Sequence, residues 1–153
     1  MEKGETISSL MQKDHGLIDE LLSTFRMRLD RLNYEGKAIE SFKRFKNKEE
    51  EHVSIEENLI FKLKLKINKT QLVVVLKKQH KELKERIEEI EKDISEKRDP
   101  TKSTINFQNL IQTHIKLEED NFYPVLDQEL KGKEKQELIT SLRKALRIPK
   151  EED

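Results

Sequence analysis

The 153-residue sequence predicts an all-α protein: an antiparallel up-down-up-down four-helix bundle with a short C-terminal fifth helix. Three observations predict it. Chain breakers are scarce, with 4 Gly and 3 Pro against 41% charged residues, a composition of long helices rather than of sheet. Four segments carry apolar residues at three- and four-residue steps, the one-sided stripe of a helix that faces a core. Turn-forming residues fill short gaps between these segments, and short gaps make successive helices antiparallel.

The first helix runs from about Glu5 to Leu32, with its stripe on Ile7, Leu10, Met11, Ile18, Leu21, Leu22, Phe25, Leu29 and Leu32. A turn over Asn33 to Gly36 leads to the second, about Lys37 to Lys66, striped by Ile39, Phe42, Phe45, Leu59, Ile60 and Leu63. Asn68 to Thr70 make the next turn. The third helix, about Thr70 to Lys97, repeats through Leu72, Leu76, Leu83, Ile87, Ile90 and Ile94. Val73-Val74-Val75 alone could pass for a strand, but the pattern on both sides is helical. Arg98 to Thr101, with Pro100, turn the chain into the fourth helix, about Thr101 to Leu130, on Ile105, Leu110, Ile111, Leu117, Phe122, Val125 and Leu126. Pro124 should kink that helix or loosen a turn. The fifth helix, about 134–147, follows Gly132 and stops before Pro149. The whole reads as one domain over 1–153, its bundle about 5–130.

The bulk numbers exclude several functions. Equal counts of 31 basic and 31 acidic side chains remove the electrostatic reason to expect nucleic acid or an anionic membrane as partner. The basic run Lys62 to Lys69 (KLKLKINK) reads as a solvated helix end, where cations oppose the helix dipole. Without cysteine there are no disulfides, thiolate metal sites or redox thiols. No stretch is apolar enough for a signal peptide or a membrane span, so a cytoplasmic location is expected.

Polar residues interrupt the stripes at four places. His15 falls between Met11 and Ile18, and His52 and Glu56 between Phe45 and Leu59. His80 lies between Leu76 and Leu83, and His114 and Glu118 between Leu110 and Phe122. The chain has four histidines, one per helix, and all four face inward. With a stripe of ~100° out of 360°, chance would do this roughly once in a hundred. Height gives an independent check, because residues on antiparallel neighbours lie level when their sequence midpoint falls at the connecting turn. His15 with His52, Glu56 with His80, and His80 with Glu118 all meet that condition. Six polar groups therefore converge on one layer. Left empty, two close glutamates there would repel unless one held a proton or a cation lay between them. A metal pair resolves the conflict, and imidazole with carboxylate suits iron or manganese, zinc less distinctively.

The two halves are alike: DHGLIDELL then HVSIEENLIF, and QHKELKERI then HIKLEEDNFYPVL, with 65 residues from His15 to His80 and 62 from His52 to His114. On these residues the chain resembles the hemerythrin-like (HHE cation-binding) family over about Ser8 to Leu130. The signals are Asp14-His15 with Ile18 and Leu21-Leu22, and two His-x-x-x-Glu-Glu elements, the second running into Phe122-Tyr123-Pro124. The resemblance implies a non-haem iron pair in a four-helix bundle, with terminal imidazoles from His15, His52, His80 and His114 and bridging carboxylates from Glu56 and Glu118. A ferritin-like scheme needs two Glu-x-x-His motifs, and Glu49–His52 is a single copy.

Two departures qualify the likeness. Five-histidine oxygen carriers have a His-x-x-x-His pair on the third helix, whereas Leu76 and Lys84 flank His80 here. The missing nitrogen leaves a position for water, a small ligand or another carboxylate among Glu49, Glu57 and Glu119, residues that otherwise read as solvent-facing. The first element also ends Phe61-Lys62 where proline is usual, which would change only the local bend. The expected function is binding or reduction of a small oxidant: dioxygen, peroxide or nitric oxide. The alternatives are an iron- or oxygen-sensing or iron-handling module without turnover, and a metal-free bundle for association. Oligomeric state is open, and the fifth helix could cap the bundle or join two copies.

Overall fold

The computed structural model describes residues 5–29 and 36–147. Among these residues every regular element is helical. Helix α1 (Ile7–Leu29) packs on α2 (Lys37–Ile55), and α3 (Gln71–Ser95) packs on α4 (Thr101–Leu117). A π-helical turn, Glu56–Ile60, extends α2, and a second one, Glu118–Phe122, joins α4 to α5 (Tyr123–Glu129). A 3-10 turn, Ile67–Lys69, precedes α3, and α6 (Gly132–Ala145) closes the described chain. The turn expected over Asn33 to Gly36 lies, up to Glu35, outside the described residues, as do Leu32 before it and Pro149 at the expected stop of the fifth helix. No described helix is long and apolar enough to cross a membrane.

The stripes bury as their spacing requires, in two apolar clusters. One gathers Ile18, Leu22, Phe25, Phe42, Phe45, Leu83, Ile87, Ile90, Phe107 and Ile111. The other gathers Ile7, Leu10, Met11, Ile60, Phe61, Leu76, Phe122 and Leu126, with Leu138, Ile139 and Leu142 of α6. Each fully buried aliphatic or aromatic side chain contributes about 1.5–3 kcal/mol, so these clusters carry the fold. The seam between them matters more for function. On α1 it falls at His15, on α2 at His52 and Glu56, on α3 at His80, and on α4 at His114 and Glu118, all buried. One polar layer thus separates two apolar ones.

Helix ends explain how the layer is held. The first turn of α1 is capped reciprocally by Thr6 and Ser9, each backbone N–H bonding the other's hydroxyl at 3.0 Å. Asp127 on α5 completes that cap from across the molecule, accepting from Ile7 N–H at 2.8 Å and Ser8 N–H at 3.1 Å. Glu129 does the same for the N–H groups of Lys66 and Ile67, at 2.9 and 3.0 Å. Helix α3 ends where Lys97 takes a left-handed φ of 56°.

Three expectations need correction. Helical structure in the second segment stops at Ile60, not Lys66. Beyond Phe61 the chain alternates: Lys62, Lys64 and Lys66 are exposed, Leu63 and Leu65 half-buried, and Ile67 buried. The Asn68 side-chain amide donates to the carbonyls of Ile60 and Leu63 at 2.8 and 2.9 Å, so the last carbonyls bond a side chain instead of a further helical turn. The lysines are solvated, but on a connection rather than a helix end. Ile105 is exposed instead of lining the core, because Thr104 and Phe107 take the inward positions of α4. Glu49, read as solvent-facing, is buried.

Candidate metal centre

The four histidines reach the layer from four helices, and each is oriented by a partner on its outer nitrogen. His15 Nδ1 lies 2.7 Å from Glu119 Oε2, and His52 Nδ1 lies 2.6 Å from Asp14 Oδ2. His80 Nδ1 lies 2.8 Å from Glu57 Oε2, and His114 Nδ1 lies 2.7 Å from the Gln79 side-chain oxygen. All four partners are acceptors, so each Nδ1 donates and every Nε2 points inward. This tautomer and aim are what an imidazole needs to offer a lone pair to a metal ion.

The inner atoms crowd together. His15 Nε2 is 3.1 Å from His52 Nε2 and 3.2 Å from Glu118 Oε1. Glu56 Oε1 stands between the helices, 3.0 Å from His80 Nε2 and 3.6 Å from His52 Nε2. Burial alone would push both His52 and His80 down, yet the Glu56 carboxylate overrides it. For His52, the Glu56 charge and the bond to Asp14 hold the imidazole up at about 10; for His80, the bonds to Glu56 and Glu57 hold it at about 9. Burial would raise the Asp14 carboxyl, but the bond and charge of His52, and then those of Lys48 at 2.6 Å, hold it below its ordinary value. Burial and the neighbouring Glu118 charge push Glu56 up. In the absence of a metal, protons take the place of a cation in this layer.

Among the six layer residues, two buried atoms make no hydrogen bond: Glu118 Oε2, and His114 Nε2, whose nearest carboxylate oxygen, Glu118 Oε1, lies 3.3 Å away. A buried orphan donor or acceptor costs about 1–3 kcal/mol, and an ion between the two would satisfy both. Glu56, His80, His114 and Glu118 each offer an atom within 4.8 Å of the others, and His15, His52 and Glu118 do likewise. Glu118 belongs to both sets. The donor types, imidazole and carboxylate, fit a cation.

A sequence profile of the Hemerythrin HHE cation binding domain matches residues 6–126. The chain belongs to this family. Searches of the curated proteins and of the solved structures returned no significant match. An HHE domain binds cations, and the buried His/Glu layer described above is where this one could hold a metal ion.

The internal repeat of this HHE chain shows in its geometry. The His15 and His52 rings lie 4.7 Å apart, and those of His80 and His114 lie 4.8 Å apart. Glu119 serves His15 as Glu57 serves His80, and Asp14 serves His52 as Gln79 serves His114. Both π-helical turns begin at the layer's glutamates. In each, a backbone N–H reaches back five residues, from Phe61 to Glu56 and from Tyr123 to Glu118. The extra residue per turn swings a Glu and the aromatic five places on to the same inward side. Pro124 sits where the loosened turn ends, as expected, but the first repeat makes the same turn without proline.

Tyr123 was not among the sequence-derived site residues. Its hydroxyl lies 2.6 Å from Glu56 Oε2, 3.0 Å from Glu118 Oε1 and 3.3 Å from His15 Nε2. The repeat pairs it with Phe61: both rings lie 5.6 Å from an imidazole, Tyr123 from His15 and Phe61 from His80. The phenol oxygen therefore enters the layer from one side only. A half-to-half alignment of the sequence contains this signal, since Phe61 and Tyr123 each stand nine places after a histidine of the layer.

Proposed function

We propose that this HHE domain is an antiparallel four-helix bundle around a two-iron non-haem centre that binds or reduces a small oxidant: dioxygen, peroxide or nitric oxide. The ligands in this reading are His15, His52, His80 and His114 as terminal imidazoles, with Glu56 and Glu118 as bridges. The observation that carries it is the sharing of Glu118 between two donor sets, with Glu56 placed between His52 and His80. Two adjacent ions with common carboxylates are the arrangement such sharing serves. Ferrous iron, when bound, supplies the electrons and an open coordination position for the oxidant. The chain supplies the rest. The outer acceptors on each Nδ1 fix the imidazoles, and Tyr123 holds a proton against the two carboxylates. Leu83 and Phe122 above and below the layer keep bulk water away. Manganese or zinc fits the donors less distinctively. A cytoplasmic site, with no nucleic acid or membrane partner, accords with the balanced charge and absent cysteine.

Anaerobic loading with ferrous iron tests the reading. Near two ions per chain are expected, with an absorbance change on adding at least one of the three oxidants. Uptake far below two ions, or no spectral response to any of them, would overturn it. Large stabilisation by iron without turnover would instead favour an iron-sensing or iron-handling module.

A further inference from the structure

Glu49 stands outside the ligand set, yet the structure treats it as part of the layer. It precedes His52 by one helical turn on the same inward face of α2, and it is 3% exposed. Among the described residues its carboxylate makes no hydrogen bond or ion pair. The charges it feels are those of His52, His114, His80 and Glu56, all members of the layer. Burial pushes its carboxyl up to about 7, against the opposing pull of His52, His114 and His80. With His80 it lines a cavity of about 430 Å³ between α2 and α3. The fold does not need an acid there. By the 62-residue repeat its counterpart is Ile111, buried in the apolar cluster.

Charge supplies the reason. Two divalent ions would bring four positive charges into a buried layer in which Glu56 and Glu118 offer two negative ones, and a further buried carboxylate reduces the excess. We propose that Glu49 is a third carboxylate of the metal centre, serving the ion held by Glu56, His80, His114 and Glu118 from the α2–α3 side, directly or across one water molecule. The assignment rests on the two-ion reading above.

The test uses the full chain, metal alone as probe, and chelator competition at pH 8. In Glu49→Gln, affinity for one of the two ions is expected to fall at least tenfold, with the other within threefold of wild type. The metal-free variant is expected to melt higher than wild type, because an unpartnered charge has been removed. Glu49→Leu, nearer to its isoleucine counterpart, should shift both readouts the same way. Glu50→Gln, an exposed neighbour on the same cavity, should lose less than threefold. Unchanged binding in E49Q overturns the assignment alone, as does an equal loss in E50Q or a lower melting point in metal-free E49Q. A wild-type chain that takes up no ion removes the two-ion reading and this assignment with it.

Discussion

Tyr123 places a neutral hydroxyl against two buried carboxylates and an imidazole, and that placement has a measurable cost if removed. Tyr123→Phe leaves Glu56 Oε2 without its 2.6 Å donor, so the metal-free protein is expected to lose about 1–3 kcal/mol in urea unfolding, with iron stoichiometry unchanged. Equal unfolding midpoints for variant and wild type would show the hydroxyl idle. The imidazoles predict a pH dependence of definite sign. His52 and His80 hold their protons up to about 10 and about 9, against 6.5 for an unperturbed imidazole. Between those values the folded metal-free chain binds more protons than the unfolded one, so stability falls as pH rises. The contribution is complete below 6.5 and is lost progressively toward 9 and 10. Urea midpoints at several pH values check this, and a rise from neutral to alkaline pH would contradict it. The burial of His15, His52, Glu56, His80, His114 and Glu118 in one layer was legible in the sequence because inward spacing and level height are properties of the helix alone. Asp14, Glu57, Gln79 and Glu119 were not legible as orienting partners, since a stripe says which residues face in and nothing of what bonds an imidazole from behind. Glu49 was misread for a related reason: as one of five acids in the Glu49–Glu57 stretch it looked like a solvated run.

The helical segments were legible to within a few residues where the 3.6-residue period held. At the end of α2 it does not hold. Lys62 to Ile67 alternates with a period of two, a signal of extended chain with one side on the core, and reading it by its charge alone put the helix end at Lys66. The π-helical turns were half legible. Pro124 marks one, but Phe61-Lys62 offers no breaker, and the turn there follows from packing Phe61 beside His80. Caps from distant elements leave no local trace at all. Asp127 belongs to α5 and closes the start of α1, so Asp127→Ala is expected to destabilise the protein by about 1–2 kcal/mol through a helix it is not part of. Thermal denaturation would detect it, and amide exchange should quicken in the first turn of α1. A variant as stable as the parent would mean that Thr6 and Ser9 suffice.

Across the whole molecule, the polar layer lies between two apolar clusters, and each donor set draws on both repeats. Leu138, Ile139 and Leu142 of helix α6 join the apolar cluster that contains Ile7 and Leu126. Arg143 ties that helix to Glu5 at 2.6 Å. Because the folded chain presents the layer and an unfolded one does not, iron at a hundredfold over its dissociation constant is expected to add about 2.7 kcal/mol for each ion bound. A chelator should reverse the gain, which calorimetry with and without iron would follow. Lys62, Lys64 and Lys66 stand exposed after Phe61. They form a bare, irregular stretch of the kind trypsin attacks, and it lies between the two repeats. A nick at Lys64 would part the polypeptide into pieces that each keep two of the four imidazoles, and neither piece could then grip an ion as the intact chain does. What stayed associated after the cut would be held by the shared interior, with any bound metal acting as a clasp that a chelator could open.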